Sequence, residues 1–240
     1  MRPHKARDKA MMLHGLQKMT LLDFPGRVAC TVFLGGCDFR CPFCHNYELA
    51  DGSAKPVMDE AELMGFLQKR KGLLDGVAIT GGEPCLHPGL PELMGKLKAM
   101  GYAVKLDTNG MHPDRLAAIL EQGLADYVAM DIKNSPEKYA RTAGLASLDL
   151  APIRDSVALL MNGNADYEFR TTVVDELHED ADFEAIGAWI AGARRFFMQP
   201  FTDRDTVPFD GLHAPPKAKM LRWLEIMGRY VPECRLRGAD

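Results

Sequence analysis

Two hydrophobic periods take turns along the chain. Short runs rich in β-branched and aromatic residues predict strands at 28–34, 77–80, 103–106, 127–131, 167–173 and 195–199. Between them, apolar residues at helical spacing predict helices near 59–71, 91–100, 113–122, 148–162 and 180–191. A last helix is predicted over about 216–230, leading into a short tail at 231–237. Asp59 and Asp180 precede apolar stripes as candidate caps, and Pro91 and Pro113 suit a first helical turn. Gly101 and Gly123 sit where helices should stop. Strands separated by helices predict an α/β fold on a parallel sheet. Six such units with no linker or composition break predict one domain, either an open doubly wound sheet or an incomplete barrel. In both, chemistry belongs at the C-terminal ends of the strands. The unusual residues collect there: Gly35-Gly36-Cys37, Gly81-Gly82-Glu83-Pro84, Asp107-Thr108-Asn109-Gly110 and Asp131-Ile132-Lys133.

Composition excludes several classes. With 47% hydrophobic and 26% charged residues, the 240-residue chain is not generally disordered. A formal charge of -4 argues against a broad basic surface for nucleic acid. No apolar run approaches the roughly 18 residues of a membrane span. Arg2, Lys5, Arg7 and Lys9 open the chain, but no apolar signal segment follows. The expectation is a basic extension over 1–14, a domain over 15–240, and a cytoplasmic protein.

Six cysteines are too few for a disulfide scaffold, and Cys37, Cys41 and Cys44 fall in one C-x3-C-x2-C loop. Three thiolates on one loop suit three irons of a [4Fe–4S] cluster, leaving the fourth iron open. Other readings exist. Zinc could take the three cysteines with His45, although adjacent Cys44 and His45 are poorly spaced for one tetrahedral ion. Cys41-Pro42-Phe43-Cys44-His45 also matches a c-type haem signature, and Cys41 with Cys44 a thioredoxin-like pair. Cys30, Cys85 and Cys234 read as incidental or buried thiols.

The cysteine spacing, with Phe43 before the last cysteine, and Gly81-Gly82-Glu83-Pro84 after the second strand resemble the radical S-adenosylmethionine (SAM) superfamily. Within it, Leu22-Asp23-Phe24-Pro25-Gly26, Cys44-His45-Asn46, residues 105–110, 129–133 and 168–174 are similar to the glycyl-radical-enzyme activases. The resemblance spans roughly Gly15 to Phe201 and leans toward the long-form activases of anaerobic ribonucleoside-triphosphate reductase, with pyruvate formate-lyase activases next. Pyruvate formate-lyase activases carry a histidine where Phe201 stands, and many activases a Pro-Gly where this chain has Asp175-Glu176.

The resemblance implies a partial (βα)6 TIM-like barrel and a [4Fe–4S] cluster on Cys37, Cys41 and Cys44. SAM would chelate the fourth iron, an electron would come from flavodoxin or ferredoxin, and a glycine of a partner enzyme would lose hydrogen. It also implies SAM contacts by Phe43, Gly81, Gly82, Glu83, Pro84, Asn109, Lys133 and Arg170. Asp107, Thr108 and Asp131 resemble a monovalent-cation site, and Asp23 a residue that orients the partner's glycine loop. A plainer account makes these turn residues and ion pairs. The other functional expectations are a radical SAM enzyme acting on a small molecule, as 7-carboxy-7-deazaguanine synthase does, and a non-catalytic zinc-binding module.

Overall fold

The computed structural model describes residues 11–238. Eight strands form one sheet: β1 Gly15–Thr20, β2 Ala29–Leu34, β3 Gly76–Gly81, β4 Ala103–Thr108, β5 Tyr127–Asp131, β6 Asp166–Val173, β7 Arg195–Pro200 and β8 Glu233–Leu236. Each strand lies beside the next one in sequence. The β1–β2 pair is antiparallel and every later pair is parallel. That order decides between the two sheet types. A doubly wound sheet reverses its strand order at a switch point, whereas this one advances in a single direction, as a barrel does. The barrel stays open, because the outer strands β1 and β8 do not pair.

Six longer helices follow the predicted pattern: α1 Glu60–Lys69, α2 Leu90–Ala99, α3 Pro113–Glu121, α4 Ala151–Asn162, α5 Asp180–Trp189 and α6 Lys217–Gly228. Asp59 caps α1 in a reciprocal box with Glu62, both bonds at 2.9 Å. Asp180 does not cap α5. Glu179 holds that position and donates its N–H to Asp182 at 2.9 Å, while Asp180 accepts from the Trp223 indole.

Two strands escaped the periodicity. β1 buries only Thr20, and β8 is half-exposed, so neither shows clean alternation. Residues 1–10, most of the expected basic extension, lie outside the described residues. From Met11 the chain is packed: Met12–Leu13 pairs with Met58–Asp59, and Leu13 is fully buried.

Strand alternation divides the interior in two. Val77, Ile79, Val104, Leu106, Val128, Met130, Tyr167 and Phe169 face outward into the main apolar layer. The barrel lumen has its own small apolar plug, Phe24, Ala29, Tyr127 and Ala129, with Ala103 against it. Above the plug the lumen turns polar. Among the described residues no helix is long and apolar enough to cross a membrane.

Candidate functional site

Above the plug lies a cavity of about 480 Å³ at the C-terminal ends of the strands. Cys37, Cys41 and Cys44 line it, together with Phe43, Gly81, Gly82, Asp107, Thr108, Asn109, Asp131, Lys133, Arg170 and Asp23. The structure thus brings together nearly every residue singled out in the sequence.

The cysteine loop is clasped from both sides by backbone. Gly82 donates to Leu34 at 2.9 Å and Glu83 to Gly36 at 2.8 Å. A Cβ on Gly82 would stand 2.0 Å from the Gly36 carbonyl oxygen, and one on Gly81 would stand 2.3 Å from that of Leu34. These glycines are therefore required first for contact with the cysteine loop. On the far side, Arg40 donates its backbone N–H to Ala143 at 2.9 Å, and its guanidinium braces the carbonyls of Cys37 and Phe39, both at 2.7 Å.

Glu83 and Pro84 do not face the cavity. Glu83 is fully buried, and its carboxylate accepts from Cys85 N–H, the Thr108 hydroxyl and Asn109 N–H at 2.9, 2.8 and 2.6 Å. Burial, only partly offset by these donors, pushes its carboxyl up to about 7. The Glu83 carboxylate, expected to contact SAM, instead accepts three bonds that hold the neighbouring loop. Pro84 opens a buried 3-10 turn, Pro84–Leu86.

Burial pushes the thiols up as well, Cys37 to about 11 and Cys41 to about 12, with Cys44 raised. Lys133 acts against that shift at all three sulfurs. Metal ligation needs thiolates, so a shared cation beside them favours loading. His45 turns away: its ring stacks on Phe201 at 5.8 Å, and Nε2 meets the Thr202 carbonyl at 2.6 Å. Zinc on three cysteines and His45 therefore does not fit. Among the described residues, no three His, Cys, Asp or Glu side chains gather closely enough for a single ion. Three thiols spread around one opening, with a cation beside them, suit a multi-iron cluster.

Facing the thiols is a charged network. Arg170 bonds Asp131 through Nε at 2.5 Å and Asp107 at 3.1 Å. Lys133 bonds the other Asp131 oxygen at 2.8 Å, and Lys105 bonds Asp107. Burial alone would raise both carboxyls, but Arg170 with Lys133 or Lys105 outweighs it and holds each below the usual range. Three cations on two carboxylates leave one positive charge over. The same pairing argues against the expected monovalent cation, because Asp107 and Asp131 already carry partners. The Thr108 hydroxyl is committed too, donating to Glu83 and accepting from Gly110 N–H at 3.1 Å. Asp23 enters the cavity from the β1–β2 loop and accepts from the Thr31 hydroxyl at 2.5 Å.

Sequence reasoning missed Lys105, Gln17, Asn46, Gln199 and Arg204, of which all but Lys105 line the cavity. Lys105 left a trace: a lysine two residues before Asp107, inside an apolar strand, shares its inward face.

The family model described as the radical SAM superfamily matches residues 31–181, well over half of the chain. The chain belongs to the radical SAM superfamily. Its cofactors are accordingly a [4Fe–4S] cluster and S-adenosylmethionine, and the cavity's thiols and surplus positive charge fit both. This radical SAM enzyme is 28% identical over 235 residues to a Methanocaldococcus jannaschii protein provisionally named a glycyl-radical enzyme activating enzyme, covering 94% of this chain and 95% of that one. It is 33% identical over 157 residues to the pyruvate formate-lyase-activating enzyme of Listeria monocytogenes, covering 60% of each. Streptococcus suis SuiB, solved with its precursor peptide SuiA, superposes with a TM-score of 0.69 at 14% identity, over 87% of this chain and 48% of that one. That likeness shows the fold alone.

Proposed function

We propose that this radical SAM enzyme is an activase that installs a glycyl radical on a partner enzyme. The observation that carries the reading is the end-to-end match with the Methanocaldococcus jannaschii activating enzyme. The open barrel supports it, since the cavity is lined by Gln17 on the edge strand β1 and, across the unclosed side, by Gln199 and Arg204 at and beyond the end of β7, the neighbour of the edge strand β8. A glycine on a protein loop can reach such a cavity from the side.

Cys37, Cys41 and Cys44 would hold the cluster and leave it open to SAM on the cavity side. Bound together, the two cofactors supply one-electron cleavage of the sulfonium carbon–sulfur bond, the source of a hydrogen-abstracting radical. Lys133 and Arg170, with one positive charge in excess of Asp107 and Asp131, hold the SAM carboxylate. Gly81 and Gly82 let the ligand lie against backbone, and Phe43, 5% exposed, walls the cysteine loop from water. Asp23, fixed by Thr31, orients the incoming glycine loop.

The partner we assign is anaerobic ribonucleoside-triphosphate reductase, on the sequence resemblance, with flavodoxin or ferredoxin as cytoplasmic electron donor. Pyruvate formate-lyase is the second reading, favoured by the names of relatives such as the Listeria enzyme. Each candidate should be mixed anaerobically with the reconstituted enzyme, SAM and reductant, and examined by electron paramagnetic resonance (EPR). A glycyl doublet on one candidate assigns the partner. SAM cleavage with no doublet on any glycyl-radical enzyme would sink the activase reading.

A further inference from the structure

We propose that Asn109 sets the reduction potential of the cluster through a hydrogen bond from its side-chain amide to the sulfur of Cys37. The side chain is buried just beyond β4 and is held in one orientation. Its Oδ1 accepts the Met111 N–H at 2.9 Å, which turns the NH2 end toward Cys37 and leaves Nδ2 3.7 Å from Sγ. The backbone is equally fixed, donating to the buried Glu83 carboxylate at 2.6 Å. This is a different task from the SAM contact expected of Asn109 by family resemblance.

The three sulfurs are not treated alike. Cys37 faces two donors, Asn109 Nδ2 and, at 3.4 Å, the backbone N–H of Phe39. Cys44 faces the backbone N–H of Asn46, and Cys41 faces no such donor among the described residues. An added electron places more negative charge on the ligand sulfurs. N–H donors therefore stabilise the reduced cluster more than the oxidised one and raise its potential. Phe39 and Asn46 act through backbone, which substitution leaves in place. Asn109 is thus the adjustable donor, and the stabilisation it gives falls on the iron bound to Cys37.

The test is a redox titration of the reconstituted protein without SAM, followed by EPR, on the parent, Asn109→Leu and Thr108→Val. Asn109→Leu keeps the volume and removes the donor, so its midpoint should move to more negative potential. Thr108→Val disturbs the same loop but not the sulfur, so its midpoint should stay with the parent. An unshifted Asn109→Leu, or an equal shift in both variants, overturns the proposal. Should Asn109→Leu fail to hold a cluster, the parent labelled with 15N in asparagine side chains gives the second reading. One amide nitrogen should couple to the reduced cluster, and absence of that coupling overturns the proposal. Iron content of Cys37→Ala separates this failure from a wrong ligand assignment, which a fully retained cluster would reveal.

Discussion

Glu168 and Arg170 stand two residues apart on the same inward face of β6, yet each belongs to a different kind of buried network. The lower one is closed. Fully buried Glu168 accepts both guanidinium nitrogens of Arg237 at 2.7 and 2.9 Å, and the Tyr127 hydroxyl at 2.6 Å. One carboxylate meets one cation there, and the group has nothing left to bind. The upper network, on Asp107 and Asp131, carries a cation more than it needs and opens onto a cavity. A balanced buried cluster holds a fold together, and an unbalanced one beside a cavity can hold a ligand.

The largest expected effect breaks the lower network. Arg237→Met strands Glu168 without its cation and should cost roughly 2–3 kcal/mol of stability, somewhat less than breaking a fully buried pair because the guanidinium is partly wet. Thermal denaturation checks this, and adding Glu168→Gln should recover much of the loss. An unchanged Tm would show that the lower pair is idle.

Next comes the upper network. Lys133→Met leaves Asp131 paired with Arg170 but removes the surplus charge. SAM affinity of the reconstituted enzyme should fall about tenfold, the scale of one charged hydrogen bond, with little change in Tm. Titration calorimetry measures the affinity and thermal denaturation the stability, and a stability loss matching that of Arg237→Met would erase the contrast.

A smaller effect is expected at His178, which braces the backbone of Lys133. Its Nδ1 accepts from Val174 N–H at 3.1 Å and its Nε2 meets the Lys133 carbonyl at 3.0 Å. Burial holds its pKa below the usual histidine value. The unfolded chain therefore binds the proton first, so stability present above about pH 6.5 should decline as pH falls, by at most about 1.4 kcal/mol per unit. Subtracting the Tm–pH curve of His178→Gln from that of the parent isolates this share, and a flat difference would refute it. The smallest effect lies outside both networks. Leu22 is 87% exposed, so Leu22→Ser should leave stability within about 0.5 kcal/mol. Any weakening of partner association, measured by sedimentation, would mark the β1–β2 loop as part of the docking face.

The upper network was largely legible in the sequence and the lower one was not, for a physical reason. Asp107, Asp131 and Lys133 close strands, where polar residues after apolar runs stand out. Glu168 sits inside a strand, and its partner Arg237, 69 residues away, follows directly on a half-exposed edge strand that periodicity did not resolve. Glu83 was legible as a motif but not in its task, because only three-dimensional contact shows its carboxylate turned from the cavity toward Thr108 and Asn109. The strand order, too, had to be seen: alternation of strands and helices suits a wound sheet and a barrel equally.

The unpaired rims of the sheet have an evolutionary consequence. A fully closed barrel fixes its own girth through its last ladder of hydrogen bonds, so any change of aperture disturbs every strand. Here the gap is bordered by the edge strands β1 and β8, neither of which holds the cysteines. Drift in those two borders can remodel what enters without altering the chemistry behind it, so a lineage can exchange client proteins while its radical-generating centre stays the same.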